Sequence, residues 1–151
     1  MIAVLLALTC GVELWPQKIL ADPGAAAALA RPVHASTIAQ LGALPRRAVR
    51  RPYAVTGWIV AIKSEADADL HVVLADEVGN TLIVEFPHPQ CAFGSLVRPQ
   101  IAKARRQMGR LGEGMRVKVR GMLFMDRPHN QAGMAPNAAE LHPVFDIRRA
   151  P

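Results

Sequence analysis

Side chains alternate with a period of two in two stretches: residues 70–74, where Leu70, Val72 and Leu74 share one face, and residues 115–120, where apolar and basic side chains alternate strictly. Successive side chains of a β-strand point to opposite sides of its sheet, so this period of two predicts strands with one buried face. The second stretch carries basic side chains on its polar face, at Arg116, Lys118 and Arg120. A basic strand face is therefore expected.

Three further stretches read as strands because they are rich in β-branched and aromatic residues: residues 53–63, 81–87 and 140–147. The first contains Gly57, and the strand that begins near residue 115 contains Gly121. A glycine inside a strand weakens regular pairing, so each is expected to mark a bend or a bulge.

One amphipathic helix is predicted between the third and fourth of these strands, over residues 95–108. Its apolar side chains recur at spacings of four, three and four residues and form one stripe. They are Val97, Ile101, Ala104 and Met108. Ser95 is a suitable N-cap residue.

The order of elements predicts an all-β fold with one helix, a five-stranded OB-like Greek-key barrel with the helix between strands 3 and 4. In that fold, ligands lie across the second and third strands and are held by the loops after the first and fourth. Those loops correspond to residues 64–69 and 126–139. The strand pattern also divides the chain into residues 31–52 as a basic linker, 53–147 as the barrel and 148–151 as a tail.

The first 30 residues differ from the rest and read as a signal peptide, with an apolar run and an A-x-A pattern at residues 28–30. No Lys or Arg precedes the apolar run. Thr9 is a poor residue before a lipidated Cys10, so a lipid anchor there is not expected. The chain is thus predicted to be exported, to the periplasm or the exterior of a bacterium, with no integral membrane segment in the mature form. Removal of residues 1–30 would leave Cys91 without a disulfide partner.

A formal charge of +6 and an isoelectric point of about 10.2 make a polyanionic partner physically plausible. Part of this charge lies in an arginine cluster just ahead of the barrel: Arg46, Arg47, Arg50 and Arg51. A solvated linker is the interpretation favoured for that cluster, and contact with an anionic polymer or membrane surface is the alternative.

The candidate binding site centres on the polar loop between two apolar runs in residues 121–147, together with polar residues at the start of the second strand. The candidate binding residues are Asp69, His71, Asp126, His129, Gln131, Asn137, Glu140 and His142. Each side chain can instead satisfy a backbone group, as Asp and Asn do in turns. The parity of His71 places it away from the core, facing a ligand or solvent.

Two segments resemble a family of small exported, uncharacterised bacterial proteins. The family pattern is D-x-D-x-H-hydrophobic-x-L-x-D, followed by F-F-D-x-x-H-x-Q-x-G-x-A-P-N-x-x-E-L-H-P. The matching residues are Asp67, Asp69, His71, Leu74, Asp76, Asp126, His129, Gln131, Gly133, Ala135, Pro136, Asn137, Glu140, Leu141, His142 and Pro143. Met125 departs from the pattern, where a second aromatic residue is usual. The resemblance covers roughly residues 53–147 and implies export and the fold.

Three functions are compatible with these residues. The first is binding of single-stranded nucleic acid or another polyanion through Arg116, Lys118 and Arg120. The second is a metal-assisted phosphodiester hydrolase, in which Asp69, His71, Asp126 and His129 hold a divalent metal as the cofactor. The third is a structural or protein-partner-binding domain without catalysis. The acidic loop at residues 64–69 argues against phosphate binding at that end of the barrel.

Overall fold

A computed structural model describes residues 8–151, so the first seven residues of the predicted signal peptide lie outside the described part. The helices are α1 (Trp15–Lys18), α2 (Ala25–Leu29), α3 (Ile38–Gly42) and α4 (Arg98–Met108), with a 3₁₀ turn at Pro89–Cys91. The strands are β1 (His34–Ala35), β2 (Pro52–Ser64), β3 (Leu70–Ala75), β4 (Thr81–Phe86), β5 (Arg116–Met125) and β6 (Ala139–Arg149).

Strands β2 to β6 close into a barrel. The sheet order is β1-β2-β3-β4-β6-β5, and β2 also pairs with β5, which removes the open edge. The pair β4–β6 is parallel, whereas β2–β3, β3–β4, β2–β5 and β5–β6 are antiparallel. This order, with a helix between β4 and β5, is that of the OB fold. The predicted fold class is confirmed.

The alternation in β5 is the pattern that the barrel needs. Val117 and Val119 are fully buried in the core, while Arg116, Lys118 and Arg120 point outward and are exposed. The same parity in β3 sends Val72 and Leu74 inward. Each strand therefore supplies one row of apolar side chains to the interior, as its sequence predicts.

Only one of the two strand glycines marks an irregularity. The pairing of β5 with β6 shifts on both sides of Gly121. Gly57 pairs regularly with Val117, and the bulge in β2 lies at Val60. Gly57 is required instead by a close approach, because a Cβ there would lie 2.8 Å from Cδ1 of Ile38.

The apolar stripe of α4 is buried as predicted, but the helix begins at Arg98 and not at Ser95. The hydroxyl of Ser95 accepts a hydrogen bond from the backbone N–H of Val97, which closes a turn before the helix. Pro99 then lies in the first turn, where its missing N–H costs no intrahelical bond.

Residues 31–52 are folded against the barrel, which corrects their interpretation as a solvated linker. β1 pairs with the start of β2, and α3 inserts Ile38 and Leu41 into the barrel core. Thr37 and Gln40 form a capping box at the start of α3. Two fully buried aliphatic side chains stabilise this segment by about 1.5–3 kcal/mol each.

The arginine cluster of this segment is largely committed to backbone carbonyls. Arg46 donates to the carbonyls of Asn137 and Asp126, at 2.7 and 2.9 Å. Arg50 pairs with both carboxylate oxygens of Asp22 and donates to the carbonyl of Gln17. A guanidinium fork used in this way holds the fold together and is no longer available to a polyanion.

Residues 8–30, here called the N-terminal segment, pack against the outside of the barrel. Ile19, Leu20 and Ala28 share a second apolar cluster with Met122 of β5 and Phe145 of β6. The cluster buries these side chains almost completely. The predicted removal of residues 1–30 would uncover this apolar surface.

A disulfide joins Cys10 to Cys91 across 81 residues of sequence. The expectation that Cys91 has no disulfide partner is therefore wrong for a chain that keeps Cys10. That expectation depended on counting the N-terminal segment as a leader. The indole N–H of Trp15 adds a hydrogen bond to the carbonyl of Cys91, at 2.9 Å.

Strand β6 runs through Arg149, so residues 148 and 149 belong to the barrel and not to a tail. Arg148 and Arg149 pair with Lys118 and Val117 of β5. Within residues 8–151, no helix has the length and apolar character needed to cross a bilayer.

Candidate functional site

The loop between β5 and β6, residues 126–138, lies over the outer face of β3. Gly133 has a φ of +85°, and a Cβ there would lie 2.5 Å from Cγ1 of Val73. The carbonyl of Ala132 lies 3.4 Å from Nε2 of His71. The strand face that binds ligands in OB folds is thus covered at Val73 and at Ile83, its partner on β4, both of which are buried.

Two contacts hold this loop in place. The side-chain amide of Asn137 donates to the carbonyls of Leu41 and Leu44, at 2.8 and 3.0 Å, and its oxygen accepts from the N–H of Ala139. Arg46 adds the two carbonyl contacts described above. Asn137 therefore has a structural role and does not face a ligand.

A recess of about 210 Å³ remains beside the loop, and we call it the acidic pocket. It is lined by Lys18, Glu65, Asp67, Asp69, Glu85, Asp126, His129, Gln131, Glu140 and His142. Six of the eight predicted binding residues line it, all except His71 and Asn137. Residues from α1, β4, β6 and two loops thus converge at one end of the barrel.

His142 lies at the floor of the acidic pocket between two buried carboxylates. Its Nε2 is 3.3 Å from Oδ2 of Asp69, and its Nδ1 is 3.3 Å from Oε1 of Glu140. Burial alone would lower the pKa of His142, but the two carboxylates outweigh burial and raise it to about 10. The imidazolium is therefore the stable form at neutral pH.

His71 forms a second buried pair, with Glu85. Nδ1 of His71 lies 2.8 Å from Oε1 of Glu85, and Glu65 approaches the same nitrogen at 3.7 Å. Burial works to lower the pKa of His71, yet the contact with Glu85 outweighs it and the pKa is raised. Burial raises the pKa of Glu85, and the hydrogen bond with His71 opposes that rise. His71 is 4% exposed, so it does not face solvent, and a contact with a ligand stays a prediction.

The rim of the acidic pocket is more accessible than its floor. Nδ1 of His129 lies 3.5 Å from Oδ2 of Asp126 and 2.7 Å from the carbonyl of Arg127. Asp67 accepts the backbone N–H of Asp69, at 3.2 Å. Both contacts are local turn contacts of the kind the sequence predicts for Asp.

The N-terminal segment forms one side of the pocket mouth. The ring of Trp15 meets that of His142 edge to face, with centroids 6.4 Å apart. Nζ of Lys18 lies 5.6 Å from the centroid of the Phe124 ring. Arg127 of the covering loop pairs with Glu13 at 2.9 Å. The segment that was interpreted as a leader therefore contacts the pocket directly.

Four pocket residues were not among the predicted binding residues, namely Lys18, Glu65, Asp67 and Glu85. Glu85 interrupts an otherwise apolar strand, residues 81–86, and a charge in such a run is the signal that could have found it. Lys18 was overlooked because it lay in the predicted signal peptide.

The predicted metal ligands do not form one set. Asp69 faces His142, His71 faces Glu85, and Asp126 faces His129. Among residues 8–151, no group of three or more His, Cys, Asp or Glu side chains is placed to hold a metal ion. The metal-assisted hydrolase stays a prediction.

A second charged region lies on the outer face of β5 and β6, and we call it the basic groove. Its cations are Lys103, Lys118, Arg120 and Arg148, around a recess of about 360 Å³. Register explains the convergence, because Lys118 lies opposite Arg148 and Arg120 opposite Asp146.

One carboxylate in the basic groove is already paired. Asp146 lies 3.0 Å from Nζ of Lys103 and accepts a hydrogen bond from Gln107. Partial burial would raise the pKa of Asp146, but these hydrogen bonds and the charges of Lys103 and Arg120 lower it. The groove therefore keeps a net positive charge.

An aromatic side chain extends the same face. Trp58 on β2 lies opposite Arg116 on β5, and the guanidinium of Arg116 lies 5.4 Å from the centroid of the indole ring. Arg116 also donates to the carbonyl of Pro151. Of the three predicted polyanion-binding residues, Lys118 and Arg120 thus line the groove and Arg116 stacks beside it.

No protein-family model matches the sequence, and no curated protein matches it. Solved structures do resemble it. OBody AM2EP06 bound to hen egg-white lysozyme is 16% identical, with a TM-score of 0.51 over 79% of this chain and 94% of that one. Entamoeba histolytica asparaginyl-tRNA synthetase, in complex with asparaginyl-adenylate, is 14% identical, with a TM-score of 0.51 over 80% of this chain.

A chain of the S. pombe Stn1–Ten1 complex is 17% identical, with a TM-score of 0.45 over 66% of this chain. The present chain spans 57% of that Stn1–Ten1 chain and 25% of the synthetase. At identities of 14–16%, the two matches with a TM-score of 0.51 show a shared fold alone, which is the OB barrel.

Proposed function

We propose that this chain is an exported OB-fold module that binds single-stranded nucleic acid through its basic groove. The supporting observation is the convergence of Lys118, Arg120 and Arg148 on one outer face. Among the ion pairs of the described residues, none involves these three side chains, whereas Lys103 is paired with Asp146. Three cations at one groove can contact successive phosphates of a nucleic acid backbone.

Trp58 favours a single strand over a duplex. It is half-buried on β2, and its partner Arg116 is two residues from Lys118 on β5. An unpaired base can stack on an indole ring, and such stacking contributes about 1–3 kcal/mol per base. A base paired inside a duplex cannot do so without being unstacked.

The outer face of β3 and β4 is a poor alternative for the same ligand. The covering loop buries Val73 and Ile83 there, and the acidic pocket beside them carries six carboxylates. Carboxylates repel phosphate, so we assign the nucleic acid to the basic groove and not to this face.

Export is proposed for a chain that retains the N-terminal segment. The Cys10–Cys91 disulfide supports an oxidising compartment, such as the periplasm or the exterior, because cytosolic thiols are kept reduced. Membership of the exported bacterial family that the Asp67–Asp76 and Asp126–Pro143 motifs resemble is part of this proposal. Mass spectrometry of the protein recovered from a periplasmic extract tests both its export and the retention of the N-terminal segment. A mature chain that begins at Arg31 would contradict retention of the segment.

Binding is tested by fluorescence anisotropy with a labelled oligothymidylate of about 15 nucleotides, a length chosen from OB-fold site sizes. We expect affinity to fall with salt with a logarithmic slope of about −2, since three phosphate contacts contribute about −0.7 each. Arg120→Glu should weaken binding about tenfold and reduce the salt slope by about 1.

Arg47→Glu is the matched control, because Arg47 is exposed and the substitution changes the net charge by the same amount. It should leave affinity nearly unchanged. Equal weakening by both substitutions would mean that only net charge matters and would remove the groove from the proposal. Trp58→Leu should weaken single-strand binding and spare any residual duplex binding.

A further inference from the structure

The acidic pocket carries more negative than positive charge. Its lining contains six carboxylates against Lys18, His129 and His142. Four of the lining side chains are at least nine-tenths buried, namely Asp69, Glu85, Glu140 and His142. A surplus of carboxylates in a site with little water favours a bound cation over an empty recess.

Two carboxylate oxygens of the pocket floor have no hydrogen-bond partner among the described residues. They are Oδ1 of Asp69 and Oε2 of Glu85, on side chains that line the recess. Asp69 is 2% and Glu85 is 5% exposed, so bulk water reaches neither freely. Buried acceptors of this kind are normally satisfied by a donor, and here the recess is the space from which a donor can approach.

The cations nearest to the floor do not hydrogen-bond to these two oxygens. His142 lies between Asp69 and Glu140, and His71 is bonded to Glu85. Arg105 is the remaining cation beside Asp69, but its guanidinium donates to the carbonyls of Ala68 and Phe86. The recess therefore leaves room for a donor from a bound ligand to approach these two oxygens.

We infer that the acidic pocket binds the ammonium end of a small primary alkylamine, with Asp69 and Glu85 accepting its N–H groups. A primary ammonium carries three donors and no acceptor, which suits a floor of carboxylate oxygens. The volume of about 210 Å³ is below the roughly 300–1,000 Å³ of pockets for drug-sized ligands, so a short amine or the end of a chain fits best.

The mouth of the pocket already accommodates an ammonium on an alkyl stem. Nζ of Lys18 lies 5.6 Å from the centroid of the Phe124 ring, and this contact stabilises an ammonium at that position. Lys18 lines the pocket without an ion pair to its carboxylates among the residues described. Its like charge should oppose an incoming amine, so replacing it should strengthen binding.

The test is isothermal titration calorimetry of the full, disulfide-bonded chain with butylammonium chloride, with butanol as the neutral analogue of equal length. We expect saturable one-to-one binding of butylammonium and none of butanol. Glu85→Gln and Asp69→Asn should each weaken binding about tenfold or more, because each removes a charge-assisted hydrogen bond.

Two rim variants keep the test decisive if a floor variant fails to fold. Glu65→Gln, on a partly exposed side chain, should weaken binding, and Lys18→Met should strengthen it. Glu77→Gln is the matched control, since Glu77 is exposed in the turn between β3 and β4. Circular dichroism melting verifies that each variant is folded.

Four results would overturn the inference: no saturable heat with butylammonium, equal binding of butanol, equal weakening by Glu77→Gln and Glu65→Gln, or binding of Ca²⁺ or Mg²⁺ that butylammonium does not displace. The acidic pocket and the basic groove share no lining residue, so loss of nucleic acid binding would leave this test unaffected.

Discussion

The acidic pocket and the basic groove are both clusters of charge on one small barrel, but they differ in burial. In the pocket, His142, Asp69 and Glu140 are at most 4% exposed, and their charges are satisfied mainly by one another. In the groove, Lys118 and Arg120 lie on an exposed strand face. Removing one partner of a buried pair leaves a charge that water cannot reach, whereas an exposed charge is simply hydrated.

The two regions also differ in how the chain builds them. Three of the four groove cations come from β5 and its neighbour β6 and are brought together by strand register, and the fourth, Lys103, lies on α4. The pocket gathers side chains from the N-terminal segment, from β4 and β6, and from two loops. Substitutions in the groove should thus change binding, and substitutions on the pocket floor should change stability as well.

The largest expected effect is at the pocket floor. His142→Gln removes the imidazolium between Asp69 and Glu140 and should lower the free energy of unfolding by about 3–5 kcal/mol, the cost of breaking a buried pair. Lys118→Gln in the groove should change it by no more than about 0.5 kcal/mol. Urea unfolding measures both, and equal effects would abolish the distinction between the regions.

Removal of the disulfide should give the next largest loss of stability. This loss should be confined to the part of the molecule around the acidic pocket. Cys10→Ser together with Cys91→Ser should cost about 2–4 kcal/mol, because an 81-residue loop is no longer closed in the unfolded chain. Hydrogen exchange should increase in residues 11–30, which the disulfide holds at the pocket mouth. Oligonucleotide affinity is expected to stay unchanged, and a fall in it would show that the groove depends on this segment.

A pH titration of stability should report on the pocket. The pKa of His142 is raised from 6.5 to about 10, so its contribution is complete below pH 6.5 and is lost as the pH rises towards 10. The raised pKa values of His71 and Glu85 act in the same direction. The melting temperature should fall over this range by about 2–4 °C for each kcal/mol lost.

His142→Gln should flatten this pH dependence, and His34→Gln, at an exposed histidine on β1, should preserve it. If the melting temperature of His142→Gln still fell steeply with rising pH, the pH dependence would belong to other groups.

The fold and the basic groove were predictable from the sequence because both depend on local patterns. The alternation of residues 115–120 identifies Lys118 and Arg120 as outward, and the order of strands with one helix predicts the barrel. Lys103 and Arg148 could not be added from pattern alone, since one lies on α4 and the other in what was interpreted as a tail.

The pocket was predictable only in part. Parity correctly sends His71 away from the core, but it cannot say that the loop at residues 126–138 covers that face. The pair of His71 with Glu85 joins two neighbouring strands whose register the sequence does not specify. The disulfide was excluded because an apolar run at the N-terminus resembles a leader whether or not it is retained.

Gly133 determines how closely a ligand can approach the outer face of β3. Its bare backbone lets the loop lie directly on Val73, which leaves no slot along β3 for a flat, extended molecule. If the proposed ammonium binding holds, we expect Asp69 to accept the narrow end of a polymer and not its flat side. The shape of a ligand's end, and not its length, should then decide whether it binds.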